Sequence, residues 1–407
     1  MPRSDLPSPG AMRTDRFDVA DGNASHDAAG FRLGLSGDGR STLRPGVARL
    51  DGVVPPAGST QPDPGALPRG RQRASGTGRA DGGDLGETGS ASLDAGSQFS
   101  QPVPHNGYAW WYVDGLSDDG RYGLTVIAFI GSVFSPYYAR ARRRGDTDPV
   151  DYCAINAVLY SPRGKRWAMT ERDRDALWRS DRHLCIGRSN VTDDGNELAI
   201  RIDETCVPIP FRLRGTIRLR PDILGGQDYH IDPAGRHVWR PVMPSARIEV
   251  VMSDPDLSWT GHGYFDHNRG AAPLEDDFAR WSWARFPLNK GNAIVYDTVA
   301  RKGQPVSLAL RHTQDGVERF EPPASVALPH TAWRVSRELR SDSADDTTAR
   351  TLEDTPFYAR SVVTARLLGE RATGMHESLS LDRFVSRWVQ AMLPFRMPRR
   401  TGWKGRG

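Results

Sequence analysis

Residues 261 to 270, GHGYFDHNRG, place two histidines, a tyrosine, an aspartate, an asparagine and an arginine in ten positions. Acids and bases at that density suit proton transfer or metal ligation. In a strand, side chains alternate between faces with period two. Thr260, His262, Tyr264, Asp266 and Asn268 then share one face, and Trp259, Gly261, Gly263, Phe265 and His267 share the other. The first face is a polar ladder, which on an ordinary sheet is simply the solvent side. Upstream, DYHIDPAGRHVWRP (228–241) adds Tyr229 to Asp232 and sets His237 and Trp239 two apart, pointing the same way if extended. Beside an acid in an apolar pocket, these residues would form a wet, reactive spot. Satisfied by their neighbours, they would be ordinary core residues. His262, Asp266 and His267 have metal-ligand chemistry, but a strand turns His267 away from the other two. No GxSxG elbow supports a serine hydrolase. Asp254, Asp256 and Asp266 leave a glycosidase-like carboxyl pair open.

The elements that must position these residues are strands. AWWYVDGLSDDGRYGLTVIAFIG has two β-rich runs around a Ser-Asp-Asp-Gly turn, a hairpin signature. Short β-branched and aromatic runs follow, among them CAINAVLY, NELAIRIDET, ARIEVVM, NAIVYDTVA and PVSLALRHT, with DDG, PRG, NKGN and QDG turns between runs. The reading is an antiparallel all-β chain with too many strands for one small barrel, hence two packed barrels or sandwiches. AAPLEDDFAR (271–280) interrupts the pattern and marks the boundary between them. One helix is expected in SLDRFVSRWVQAML, with Leu381, Phe384, Val385, Trp388 and Met392 at helical spacing and Ser380 as N-cap. The organisation expected is a disordered extension over 1–98, a β-domain carrying the site over 99–272, a second β-domain over 273–379, and a helix with a basic tail over 380–407.

The extension is rich in Gly, Pro, Ser, Asp, Arg and Ala and has only Phe17 and Phe31 as aromatics, too little apolar area to offset ordering. Lys plus Arg number 54 against 50 acidic residues, and the net charge of +4 gives no case for nucleic acid. Cys153, Cys185 and Cys206 are odd in number and form no CxxC, which argues against disulfides and structural zinc and for a reducing cytoplasm. No apolar run reaches the roughly 18 residues of a membrane span, and the N-terminus lacks a secretory h-region. The tail PFRMPRRTGWKGRG carries five Arg or Lys and a tryptophan; it reads as a frayed basic end or a peripheral contact with anionic lipid. YYARARRRG (137–145) reads as a basic loop.

HNGYAWWYVDGLSDDGRYGLTVIAFIGSVFSPYY, PVDYCAINAVLY, WAMTER, DYHIDPAGRHVWRP and WTGHGYFDHNRG together resemble the hydroxyneurosporene synthase family, the acyclic carotenoid 1,2-hydratases of phototrophic bacteria. The resemblance runs from about residue 100 to about residue 395 and leaves out the extension. It implies two lipocalin-like β halves and hydration, without cofactor, of the terminal C1–C2 double bond of an acyclic carotene such as neurosporene or lycopene. The family's active-site positions fall on His237, Trp239, Tyr264 and Asp266. It further implies that Asp266, kept protonated by apolar surroundings, protonates C2; that Trp239 stabilises the C1 cation through its face; and that His237 and Tyr264 handle water. Its partners would be the carotene and water, with the protein cytoplasmic and peripheral to the inner membrane. A lipocalin-like carrier that binds carotenoid or lipid without catalysis is the alternative. Gly261 and Gly263 are expected to mark a bulge, the other reading being room for a polyene against the strand.

Overall fold

The computed structural model describes residues 96–402, and the expectation of disorder for 1–98 falls almost wholly outside them. The last three residues of that extension are ordered. Ser97 is buried, with its N–H and hydroxyl on Asp193, and its carbonyl accepts the Trp111 indole N–H at 2.6 Å.

The chain is all-β, as expected, and its described strands fall into two large antiparallel sheets and one small one. The Ser-Asp-Asp-Gly turn joins Tyr108–Ser117 to Gly123–Ile130, with Val113 opposite Val126. Tyr108–Ser117 also pairs along its whole length with the much later Asp256–Gly270. That closure brings the first hairpin beside His237–Asp254 and the strands before it, so the first sheet curls around its own core. Val113, Leu124 and Ile155 from one end meet Ile200, Ile217 and Ile248 from the other in one cluster. Every residue of YAWWYVDGLS is buried. A strand covered on both faces loses its alternation and reads as a continuous apolar run.

The 271–280 interruption folds as a short helical turn, Leu274–Asp277, before the second sheet starts at Phe278–Leu288. That sheet stacks Trp281, Trp283, Ile294 and Tyr296 against Trp110, Tyr112, Trp239 and Tyr264 of the first, forming an aromatic layer between the two. Its other face packs Phe286, Val295 and Val363 under a small two-stranded sheet. A buried ion pair crosses the layer, with Arg285 donating Nε to Asp114 Oδ1 at 2.7 Å.

Several expectations change. The single C-terminal helix is two, Leu381–Phe384 and Arg387–Arg396, broken at Val385 and Ser386. Ser380 does cap the first, and Ser386 stands at the N-terminus of the second. The apolar stripe splits accordingly. Leu381, Phe384 and Val389 are buried, whereas Val385, Trp388, Met392 and Phe395 are exposed. The tail is not frayed as far as it is described, because Arg399–Arg400 pairs in parallel with Gly164–Arg172 and Arg399 meets Glu171. Residues 403–407 lie outside the described residues. The basic segment after Pro136 is a helix, Pro136–Arg142, whose Arg142 pairs with Glu275 at 2.8 Å. The bulge expected at Gly261 and Gly263 lies instead in the facing strand, between Pro241 and Ala246. The two glycines point into the first core, where a Cβ on Gly261 would stand 1.9 Å from the Leu116 carbonyl oxygen. Close approach explains them, of the Leu116 backbone at Gly261 and of the Ile248 and Leu219 side chains at Gly263.

Candidate active site

Asp256–Gly270 alternates as its sequence requires. Gly263, Phe265 and His267 point into the first core, and Tyr264, Asp266 and Asn268 point into the aromatic layer. The polar ladder is therefore solvent-facing only at its start, where Thr260 and His262 are exposed. From Tyr264 onward the second sheet covers it.

Asp266 is 4% exposed and accepts three hydrogen bonds. Trp239 Nε1 and Tyr264 Oη donate to Oδ2 at 2.9 and 2.8 Å, and Asn268 Nδ2 donates to Oδ1 at 2.8 Å. Strand register supplies this geometry: Trp239 faces Asn268 and Pro241 faces Asp266, so the indole reaches the carboxyl diagonally. Loss of hydration pushes the Asp266 carboxyl up to about 8, against the pull of the Trp239 and Tyr264 donors, with Glu377 and Asp114 adding to the rise. The group is thus a neutral acid at pH 7. An indole N–H cannot accept, and with two donors on Oδ2 the acidic proton belongs on Oδ1. The Asn268 carbonyl oxygen is buried without a partner among the described residues, so a half-turn of that amide would let it receive the proton.

His237 is elsewhere. Fully buried, it bonds Tyr108 Oη through Nδ1 at 2.8 Å and Asp277 through Nε2 at 2.7 Å, and its backbone N–H donates to Asp232 at 2.7 Å. Burial lowers its pKa while Asp277 opposes the fall. The ring shares the layer with Asp266 but no hydrogen bond links them. Trp239 turns its N–H to the acid, with its ring edge-on to Tyr296 at 5.5 Å. That bond lies in the plane of the indole and leaves the π-face role expected of Trp239 open. The candidate metal set disperses: His262 is exposed, Asp266 enters the layer, and His267 stacks on Trp111 in the first core at 4.9 Å.

A cavity of about 190 Å³ opens beside this network, walled by Trp110, Tyr112, Phe129 and Trp281 from the layer and by Val389, Met392 and Leu393 of the last helix. Asp266 is not part of its wall. The link is Tyr112, which lines the cavity, pairs with Asp266 across the strands and sets its ring 6.1 Å from that of Tyr264. Sequence reasoning missed Asn268 as a third donor, Tyr108 and Asp277 as partners of His237, and the second-sheet residues Trp283 and Tyr296. Periodicity places Asn268 on the acid's face. Nothing local announces the others, which arrive from 40 or 129 residues away or from a different sheet.

The family model for carotenoid hydratase CrtC matches residues 126–406. An acyclic carotenoid 1,2-hydratase of Thiocapsa roseopersicina is 50% identical over 92% of this chain and 93% of its own. Another, of Rubrivivax gelatinosus, is 46% identical over 95% of this chain and 96% of its own. This chain belongs to the carotenoid hydratase family. Among solved structures, an AttH protein of Nitrosomonas europaea superposes with a TM-score of 0.49 at 14% identity, covering 67% of this chain and 92% of that one. Family membership makes the protein a hydratase, a hydro-lyase.

Proposed function

We propose that this hydratase adds water across the terminal C1–C2 double bond of an acyclic carotene such as lycopene or neurosporene, by acid catalysis from Asp266 and without a cofactor. The observation that carries it is a buried carboxyl, raised to about 8 by loss of hydration and bonded to Trp239, Tyr264 and Asn268, one aromatic ring from an apolar cavity. An isolated trisubstituted alkene is a weak base, so the chemistry begins with protonation. Asp266 Oδ1 gives its proton to C2 and a tertiary cation forms at C1. Trp239, Tyr264 and Asn268 then hold the new carboxylate, donors aimed at charge as it develops. Trp110, Tyr112 and Trp281 offer ring faces to the cation, each worth roughly 2 kcal/mol in a desolvated site. Access to Oδ1 runs past Tyr112, whose ring must turn as the polyene end arrives. His237, with Asp277 and Tyr108, braces the strand end that positions Trp239.

A carrier without catalysis needs the cavity but no acid behind it, and the family is one of hydratases. The deciding experiment incubates purified protein with lycopene dispersed in detergent, with no metal or nucleotide, and looks for 1-hydroxylated product by mass. Binding without product would establish the carrier instead. Unchanged turnover after exhaustive EDTA treatment is expected.

We also propose that the substrate enters from a membrane surface at the Arg387–Arg396 helix. Met392 lines the cavity and is itself exposed, and Trp388 and Phe395 are exposed on the same helix, with Arg387 and Arg396 in sequence beside them. Apolar side chains with flanking cations suit an anionic interface, and no described helix is long and apolar enough to cross one. Flotation with anionic liposomes should carry the protein up at low salt. Phe395→Asp should stay at the bottom, and flotation equal to wild type would remove this entry route.

A further inference from the structure

Hydration places a proton on C2 and hydroxide on C1, so some group must take the proton that water gives up. Asp266 donates from within the layer, and the three bonds on its carboxyl keep it there. The cavity has a second polar group of its own. Glu377 lines it from Glu370–Ser380, together with Arg360 and Tyr358 from the adjoining Tyr358–Leu367 and Glu353 from Thr348–Asp354 beyond it. Arg360 is buried, donates Nε to one oxygen of Glu377, Oε1, at 2.8 Å, and pairs with that same oxygen through Nη2 at 2.7 Å. The other oxygen, Oε2, has no partner among the described residues. In the same wall the Tyr358 hydroxyl, close enough to Glu377 to feel its carboxyl, and Glu353 Oε1 are buried without a hydrogen bond of normal geometry among those residues. Glu353 is 3% exposed and held through its other oxygen by Lys165. A donor and two acceptors without such a bond, set in one wall of an apolar cavity, are what a water molecule needs to be held.

The position is right for the second half of an addition. Tyr112 stands between the two carboxyl groups, its ring 6.1 Å from that of Tyr264, which bonds Asp266, and 5.8 Å from the Arg360 guanidinium, which bonds Glu377. Glu377 also lies close enough to raise the pKa of both Asp266 and Tyr296. Two carboxyl groups on either side of one ring, one hydrogen-bonded by Trp239 and Tyr264 and the other paired with an arginine, would let one serve as acid and the other as base.

We propose that Glu377, fixed by Arg360 and assisted by Tyr358, holds the attacking water and accepts its proton, an inference that rests on the hydration reading. The Asp266 O–H bond breaks as the π pair forms C2–H and leaves the cation at C1. The water oxygen bonds C1 while one of its protons passes to Glu377 Oε2. Glu377 then returns that proton to solvent and Asp266 takes one up, so the net change is one water added.

Deuterium separates the two steps. In D2O, protonation at C2 without water capture is reversed by loss of a proton from C2, and label enters the recovered carotene. Glu377→Gln keeps an oxygen for Arg360 and loses the base. It is expected to lower hydration at least about 100-fold, the usual weight of a general base. It should still place deuterium at C2 of recovered lycopene, whereas Asp266→Asn should lose both product and label. Label uptake also proves that the variant is folded. Tyr358→Phe leaves the ion pair intact and should lower hydration about tenfold while keeping label uptake. Glu377→Gln with near-normal hydration overturns the proposal, as does Glu377→Gln losing hydration and label together while Tyr358→Phe behaves as wild type. Wild-type protein that makes no hydroxylated product instead overturns the hydration reading itself.

Discussion

Asp266 and His267 are neighbours on one strand, both buried, on opposite faces. Burial moves each toward its uncharged form: the carboxyl rises to about 8 and the imidazole falls to about 3. Their surroundings then differ. Asp266 accepts three hydrogen bonds and lies one ring from a cavity. His267 is stacked flat on Trp111, at 4.9 Å and 1°, with both ring nitrogens buried and unpartnered among the described residues. A perturbed pKa therefore does not mark a site by itself. It marks one when the group has partners that stabilise its other charge state and a route by which a proton can leave. Asp266 has both and His267 neither.

The largest test of this contrast exchanges each residue for its uncharged look-alike. Asp266→Asn keeps an oxygen for Trp239 and Tyr264, and a half-turn of Asn268 accommodates the new amide, so the fold should survive. Turnover of lycopene should fall by about 1,000-fold or more, within the range for a lost general acid. His267→Phe should stay within about twofold of wild type. Equal losses in the two variants would erase the distinction between the faces.

Next in size is the indole. Trp239→Phe retains a ring but removes an N–H that lowers the Asp266 pKa. Turnover should drop roughly tenfold, from weaker support of the nascent carboxylate. The rate depends on the protonated acid, so wild-type activity should decline as pH rises through about 8, and the variant's decline should begin at higher pH. Trp239→Ala should lose more, since the layer against Tyr296 opens as well. A pH profile unchanged by Trp239→Phe would show that the hydrogen bond does not tune the acid.

How much of this could be read from the chain follows the same contrast. Period-two alternation alone put Tyr264, Asp266 and Asn268 together and sent His267 the other way, because a strand leaves side chains no third option. It could not say which face was covered. The cover is the second sheet, built from residues 278–380, and long-range packing leaves no local trace. Family resemblance pointed to His237, but its ring partners, Tyr108 and Asp277, are 129 and 40 residues away and could not be read from its neighbours. The C-terminal helix failed for a different reason. Its helical spacing was real, yet the Ser386 hydroxyl donates to the Arg383 carbonyl at 2.6 Å and the helix restarts only at Arg387. The glycines at 261 and 263 were legible as special but not as to why. Close approach and a bulge leave the same residue, and only the packing, of the Leu116 carbonyl on Gly261 and of Ile248 on Gly263, decides between them.

The smallest expected effect concerns stability against pH, where the two residues should pull in opposite directions. His267 has a folded pKa near 3 against 6.5 for an unperturbed imidazole, and His312 and His376 sit near 4. Depressed in the fold, these groups contribute no penalty above pH 6.5. As pH falls from there the unfolded chain binds protons that the fold refuses. Each histidine then costs up to about 1.4 kcal/mol per pH unit until its folded pKa is reached. Asp266 is raised in the fold, so its contribution is fully present below the unfolded value near 3.8 and is lost as pH climbs toward 8. Urea midpoints measured from pH 4 to 8 should therefore show His267→Phe flattening the acid side of the curve and Asp266→Asn flattening the neutral side. At pH 7 the phenyl ring fills the stack on Trp111 without two buried nitrogens to desolvate, and the variant should gain about 1 kcal/mol. A destabilised His267→Phe would mean that the imidazole has an unseen partner in the first core, and the contrast between the two faces would have to be redrawn.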